Sequence, residues 1–111
     1  ALFTNNDTLG KDIINEGIKQ IDPMWRLPLF KPYNKQLDKN NNAINSTGSS
    51  GTGGAITAAL FLNRFIDKNT NWAHVDLMAW NTSSRPGFPM GGEAMGLRNI
   101  VNMIIKYCSK S

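Results

Sequence analysis

Apolar residues along this chain fall into three stretches of helical spacing and one that alternates. Leu9, Ile13, Ile14, Ile18 and Ile21 recur at helical spacing behind Thr4-Asn5-Asn6-Asp7. Those polar side chains can cap a helix start, so the pattern predicts a helix over residues 7–21. Asp22-Pro23 ends it, because the residue before proline is pushed out of the helical region. Residues 24–33 are rich in apolar side chains, but Pro23, Pro28 and Pro32 exclude a regular central strand or helix there. An extended segment is expected, packing Trp25, Leu29 and Phe30 onto the domain, with a short helix around residues 34–39. Residues 40–54 are polar and rich in Gly, Ser and Asn. Ala55, Ala58, Ala59, Leu62, Phe65 and Ile66 then form one helix face, while Ile56, Leu60 and Phe61 fill much of the rest. A helix apolar nearly all round, over residues 54–67, is expected to lie buried between layers.

Residues 72–80 alternate, with Ala73, Val75, Leu77 and Ala79 on one side and Trp72, His74, Asp76, Met78 and Trp80 on the other. Both sides are largely apolar, which suits an internal strand over 73–79 covered by helices. After a Pro/Gly loop, Leu97, Ile100, Val101, Ile104, Ile105 and Cys108 predict an amphipathic helix over 94–108. The fold class is therefore α/β, a piece of a mixed sheet flanked by helices. One strand cannot make a sheet, so its partners are expected in an absent part of the protein or in another chain. The competing reading is a small all-helical domain in which residues 72–80 only connect.

Length and charge narrow the function classes. At 111 residues the chain is one domain or part of one. Its 12 Lys+Arg against 8 Asp+Glu give +4, spread along the chain with no block of like charges. Specific nucleic-acid binding would be better served by a stripe or cluster, so the basicity is read as a solvated surface. The chain opens on Ala with no apolar targeting region and no run long enough for a membrane span. A lone cysteine, Cys108, cannot form an internal disulfide, which favours a cytoplasmic setting. The three Asn-x-Ser/Thr matches, at Asn6, Asn45 and Asn81, are those that chance supplies in so Asn-rich a chain.

Few residues could carry chemistry alone. His74 and Asp76 are the single His–carboxylate pair, two apart on one strand side. They could be a base with its orienting carboxylate, or two metal ligands. Without a paired nucleophile or further ligand, a buried structural pair is the better reading. The glycine-rich run over 48–54 precedes a helix and could bind an anion. It lacks the Walker lysine, since Gly54 stands in that place, and it also fails the dinucleotide pattern. Glu93 is expected in or beside the first turn of the last helix, where its charge suits the helix dipole. Cys108, near the end of the last helix, is most simply read as a small apolar residue.

A resemblance extends over nearly the whole chain. It begins with Ala1-Leu2-Phe3-Thr4-Asn5-Asn6-Asp7, Asp22-Pro23-Met24-Trp25-Arg26-Leu27-Pro28-Leu29 and Ala43-Ile44-Asn45-Ser46. It continues through Gly53-Gly54-Ala55-Ile56-Thr57-Ala58-Ala59-Leu60-Phe61-Leu62, Trp72-Ala73-His74-Val75-Asp76-Leu77 and Gly91-Gly92-Glu93-Ala94-Met95-Gly96-Leu97-Arg98. In order and spacing these resemble the C-terminal part of the catalytic domain of the leucine (cytosol) aminopeptidases. The shortened segment after Leu77 departs from the better-known members and looks like a bacterial branch. The resemblance implies a parent enzyme that releases N-terminal residues from peptides, with leucine and similar residues favoured. It implies a cytoplasmic homo-oligomer, a hexamer, with no nucleic acid or membrane involved. It also implies two divalent ions, Mn or Zn, about 3 to 4 Å apart, that activate a water. The family's metal ligands and catalytic residues sit in an Asn-Thr-Asp-Ala-Glu-Gly-Arg-type stretch and just before it, and no such stretch occurs here. Residues 1–111 are thus expected to be the C-terminal part of one catalytic domain, with the metal-ligand half upstream of Ala1. No catalytic or metal-binding residue is expected in this chain, and alone it is expected to be inactive. What carries over is pocket lining. Met78 and Ala79 match the wall for the substrate's first side chain, and Thr47 and Gly48 match a loop near the second residue's site. In the family the position of His74 also reads His-x-Asp, and that histidine is not a metal ligand. Two other classes stay open at this level: a phosphate-binding module using residues 48–54, and an interaction domain exposing Trp25 and Trp80.

Overall fold

The computed structural model describes residues 1–38 and 53–110. Its first element, β1 (Leu2–Thr4), was not foreseen from the pattern, because three residues are too few to show alternation. All three side chains are buried, so the strand is sandwiched on both sides. It pairs antiparallel with β2 (Ala73–Val75) in the register Leu2↔Val75, Phe3↔His74 and Thr4↔Ala73. On its other edge Leu2 donates to Trp25 O at 2.8 Å and accepts from Leu27 N at 2.9 Å, a parallel bridge to the 24–27 segment. The sheet is therefore mixed, as the fold class anticipated. The strand's partner lies inside this chain, correcting the expectation that it would be absent or in another chain. Strand β2 is also shorter than the predicted 73–79.

Helix α1 (Asp7–Lys19) starts as its sequence dictates: Asn6 is extended, and its side chain accepts from Leu9 N at 2.8 Å. Its end is less ordinary. Asp22 N donates to Gly17 O at 2.9 Å and Ile21 N to Ile18 O at 3.4 Å, the hydrogen-bond pair of a Schellman cap. That cap needs a left-handed residue, usually glycine, and here Ile21 takes it at φ 52°. After the Asp22-Pro23 turn the chain runs back beside β1. Trp25, expected to pack inward, is instead 79% exposed, because the parallel bridge turns its ring away from the core.

A 3-10 segment, Lys31–Leu37, packs against α2 (Gly54–Asn63). Leu37, Ala59 and Leu60 are buried in this second packing centre. Arg64 ties the two elements together, donating to Asn34 O at 3.0 Å and pairing with Asp38 at 2.9 Å. Helix α2 is shorter than the predicted 54–67 and is not covered all round, since Leu62 is exposed, as is Phe65 beyond its end. The Trp72 indole joins this unit to the sheet through Asn63 Oδ1 at 2.9 Å.

Helix α3 (Leu97–Cys108) crosses α1, and Met103 joins Leu2 and Ile13 in the main core, flanked by Leu9, Met24 and Val75. It begins three residues later than predicted, at Gly96 with φ 80°. Between β2 and α3 a hairpin of β3 (Trp80–Asn81) and β4 (Gly91–Gly92) stands out from the body. The shortest principal dimension is only 16 Å. So thin a body leaves Ile18, Met78, Trp80, Leu97, Ile104 and Ile105 exposed. Among the described residues no helix is long and apolar enough to cross a membrane.

Candidate functional site

The turn after α1, the end of β2 and the 93–96 segment converge on a cleft of about 470 Å³. Asp22 builds its floor. The carboxylate is buried, and its two oxygens accept from Gly96 N at 2.9 Å and Asn99 N at 3.1 Å. It thus caps α3 from a distant part of the chain, where an anion meets the helix dipole and the orphan N–H groups. Asn99, fully buried, returns hydrogen bonds from its amide to Ile13 O at 3.0 Å and Asp22 O at 3.3 Å. Gly17 gives the room: a Cβ there would sit 2.6 Å from Asn99 Nδ2 and 2.8 Å from Asp22 O. Arg98 closes the corner by donating to Gln20 O and Ile21 O at 3.2 and 2.9 Å. This network fixes the α1–α3 corner that the cleft is built on.

Glu93 was expected to serve the helix dipole from the first turn of α3. The structure corrects this, because α3 starts only after Gly96 and Asp22 holds that place. Glu93 instead donates its N–H to Ala79 O at 3.0 Å, and its carboxylate reaches Arg85 at 3.5 Å on the cleft wall. Arg85 in turn lies over the Phe88 ring, 3.9 Å from its centroid. Sequence reading missed Asp22, Asn99 and Arg85. Asp22 carried only a helix-stop signal, and nothing in the sequence pairs residues 74 or more positions apart.

Of the residues singled out by resemblance, Met78 lines this cleft beside Leu77, Met24 and Phe88, with its side chain largely exposed. Ala79 does not line it. It faces an adjoining, almost wholly apolar cup of about 380 Å³, with Met24, Val75, Met95 and Ile100. Ala79 sits at φ 54°, so the two positive-φ non-glycine residues among the described residues, Ile21 and Ala79, each line one of these hollows. Such backbone strain persists only where the surroundings enforce it, and it concentrates at binding sites. Thr47 and Gly48 lie outside the described residues, as does most of the glycine-rich run.

His74 and Asp76 are not joined by a hydrogen bond or ion pair. The imidazole stacks on Phe3 with centroids 6.0 Å apart, and its Nε2 is buried without a partner among the described residues. Asp76 extends the ladder through its backbone, donating to Ala1 O at 2.9 Å. Both residues are only half-buried and His74 Nε2 is unsatisfied, so the expected buried, satisfied pair is not what the structure forms. Among the described residues no three His, Cys, Asp or Glu side chains gather as a metal site. The described residues therefore do not fit the two-ion centre that the resemblance implies for the parent enzyme.

The family model described as the cytosol aminopeptidase family, catalytic domain, matches residues 1–101. A "probable cytosol aminopeptidase" of Chlorobium phaeobacteroides is 36% identical over 108 residues, 96% of this chain and 21% of that protein. One of Phytoplasma mali is 47% identical over 80 residues, 71% of this chain and 16% of its own length. Among solved structures, cytosol aminopeptidase from Coxiella burnetii superposes with a TM-score of 0.89 at 43% identity, over 95% of this chain and 23% of that one. The chain thus spans about a fifth of the length of the relatives it matches. A match over 101 of 111 residues means that this chain belongs to the cytosol aminopeptidase family.

Proposed function

We propose that residues 1–111 form the C-terminal, pocket-lining part of the single catalytic domain of a leucyl aminopeptidase, with the metal ligands in chain beyond this segment. The observation that carries the reading is Met78, a long apolar side chain at the rim of the cleft just past the end of a strand. Ligands of layered α/β proteins commonly bind at strand ends. The parent enzyme would release apolar N-terminal residues from peptides, with two divalent ions, Mn or Zn, supplying an activated water. No described residue is given a part in that step. Met78 would shape the space for the first side chain, and Ala79 would brace it from the neighbouring cup. Thr47 and Gly48 would approach the second residue. A cytoplasmic homo-hexamer completes the proposal, and the exposed apolar surface on so thin a body suits burial against further protein.

The test uses the complete enzyme that carries this segment. It should hydrolyse leucine anilide in a chelator-sensitive way, whereas the 111-residue segment alone, supplied with manganese or zinc, should not. Met78→Ala should change the ratio of kcat/KM between leucine and smaller or larger N-terminal residues, by tenfold or more if a methylene-scale gap opens, on the order expected for apolar pockets. Equal loss for all substrates would make Met78 a packing residue only. Activity of the segment alone would overturn the reading.

A further inference from the structure

The cleft wall opposite the α1–α3 corner comes from the tip of the β3–β4 hairpin, which carries Arg85 and Phe88. That tip is a preformed unit. Arg85 and Phe88 close it with paired backbone hydrogen bonds of 2.9 and 2.8 Å. Pro86 and Gly87, the latter at φ 78°, occupy the two central places, as a type II turn demands. The hairpin's stem is weak by contrast. It has two residue pairs, and both residues of β4 are glycines without side chains to pack across the ladder. Its remaining hydrogen bonds, Met90 N to Ser84 Oγ and Asn81 Nδ2 to Pro89 O, stay within the hairpin. Among the described residues, the side-chain ion pair from the tip to the base of the hairpin, where Glu93 follows β4, is Arg85 to Glu93. Glu93 is well placed to hold it, being 18% exposed and bound through its N–H to Ala79 O. Its second oxygen, Oε2, is buried with no partner among the described residues, so the carboxylate has Arg85 as its countercharge.

We propose that Arg85 and Glu93, with the Phe88 ring beneath the guanidinium, are positioning residues that fix this turn as a wall of the Met78 cleft and so limit the size of substrate side chain admitted. This rests on the pocket role proposed for Met78. An ion pair half open to water adds little stability. Its effect here is geometric, since the planar guanidinium meets both the carboxylate and the ring. Loss of the pair frees the tip to swing on its glycine stem, which widens the cleft.

The experiment measures kcat/KM of the complete enzyme on leucine and phenylalanine anilides. Arg85→Ala and Glu93→Gln are expected to raise the phenylalanine-to-leucine ratio by about tenfold, the scale of a pocket wall moving by one methylene. Arg85→Lys, which keeps the charge but not the planar guanidinium over the ring, should restore the ratio only in part. Arg85→Gln replaces Arg85→Ala if circular dichroism shows the latter misfolded. An unchanged ratio in Arg85→Gln and Glu93→Gln, with or without an equal fall on both substrates, overturns the proposal while leaving the aminopeptidase reading intact. Absence of chelator-sensitive hydrolysis by the unaltered enzyme overturns that reading, and the wall proposal with it.

Discussion

Replacing Asp22 should unlock the α1–α3 corner. Its carboxylate accepts two hydrogen bonds, from Gly96 N at 2.9 Å and Asn99 N at 3.1 Å, and only 8% of the residue is exposed. Hydrogen bonds to a charged group contribute about 1.5 to 3 kcal/mol each. Asp22→Ala loses both and leaves two buried N–H groups without their acceptor, so about 3 kcal/mol is a conservative expectation. Asp22→Asn keeps one acceptor but turns an amide donor towards the other N–H, and it removes the charge at the helix terminus. Its cost should be intermediate, about 2 kcal/mol. Hydrogen exchange read at the α3 amides isolates this corner whatever the stability of the rest of the protein. At 1.4 kcal/mol per tenfold, Asp22→Ala should speed exchange of the Gly96, Asn99 and Ile100 amides roughly 100-fold, with α2 amides little changed. If both variants stay within about threefold of the native rates, well under 1 kcal/mol, the cross-chain cap does not hold the helix as argued.

Gly17→Ala should destabilise by about 2 kcal/mol in urea unfolding, because its Cβ meets the Asp22 carbonyl at 2.8 Å. Gly10→Ala, whose Cβ meets side-chain atoms at 3.0 Å or more, should cost less, and the reverse order would contradict the crowding argument. Ile21→Gly should stabilise by up to about 1 kcal/mol, since the left-handed conformation at φ 52° penalises a β-branched residue more than glycine's extra chain entropy does. A lower unfolding midpoint in that variant would show the exposed Ile21 side chain to be worth more than the strain. Tyr107 donates to Asp12 Oδ2 at 3.0 Å, and this hydrogen bond to a carboxylate, with a smaller share from burial and charge repulsion, raises its pKa above the ordinary value. The native state thus favours the neutral phenol. The small stabilisation is fully present below about pH 10, the ordinary tyrosine value, and is lost as the pH rises through the higher folded value. Ultraviolet titration should show Tyr107 ionising later than in Asp12→Asn, and coincident curves would refute the linkage.

The helices were legible because their cause is local. Asn6 ahead of a period of apolar residues sets α1, and the spacing from Leu97 to Cys108 sets α3, as the structure bears out within a few residues. The ordered motifs also sufficed to indicate the family, since residue order and spacing belong to the chain and need no coordinates. What the sequence left open depends on partners far along the chain. A three-residue strand such as β1 has no periodicity to read, and its identity comes from pairing with Val75 and bridging to Arg26. The start of α3 was misplaced because its cap is not a neighbour but Asp22, 74 positions away from Gly96. Met78 and Ala79, adjacent in sequence, part into two hollows only because Ala79 takes a left-handed turn under the hold of Glu93. Local hydrogen bonding and side-chain period thus set the elements, whereas the buried Asp22 carboxylate and the pairing of distant segments decided the cleft.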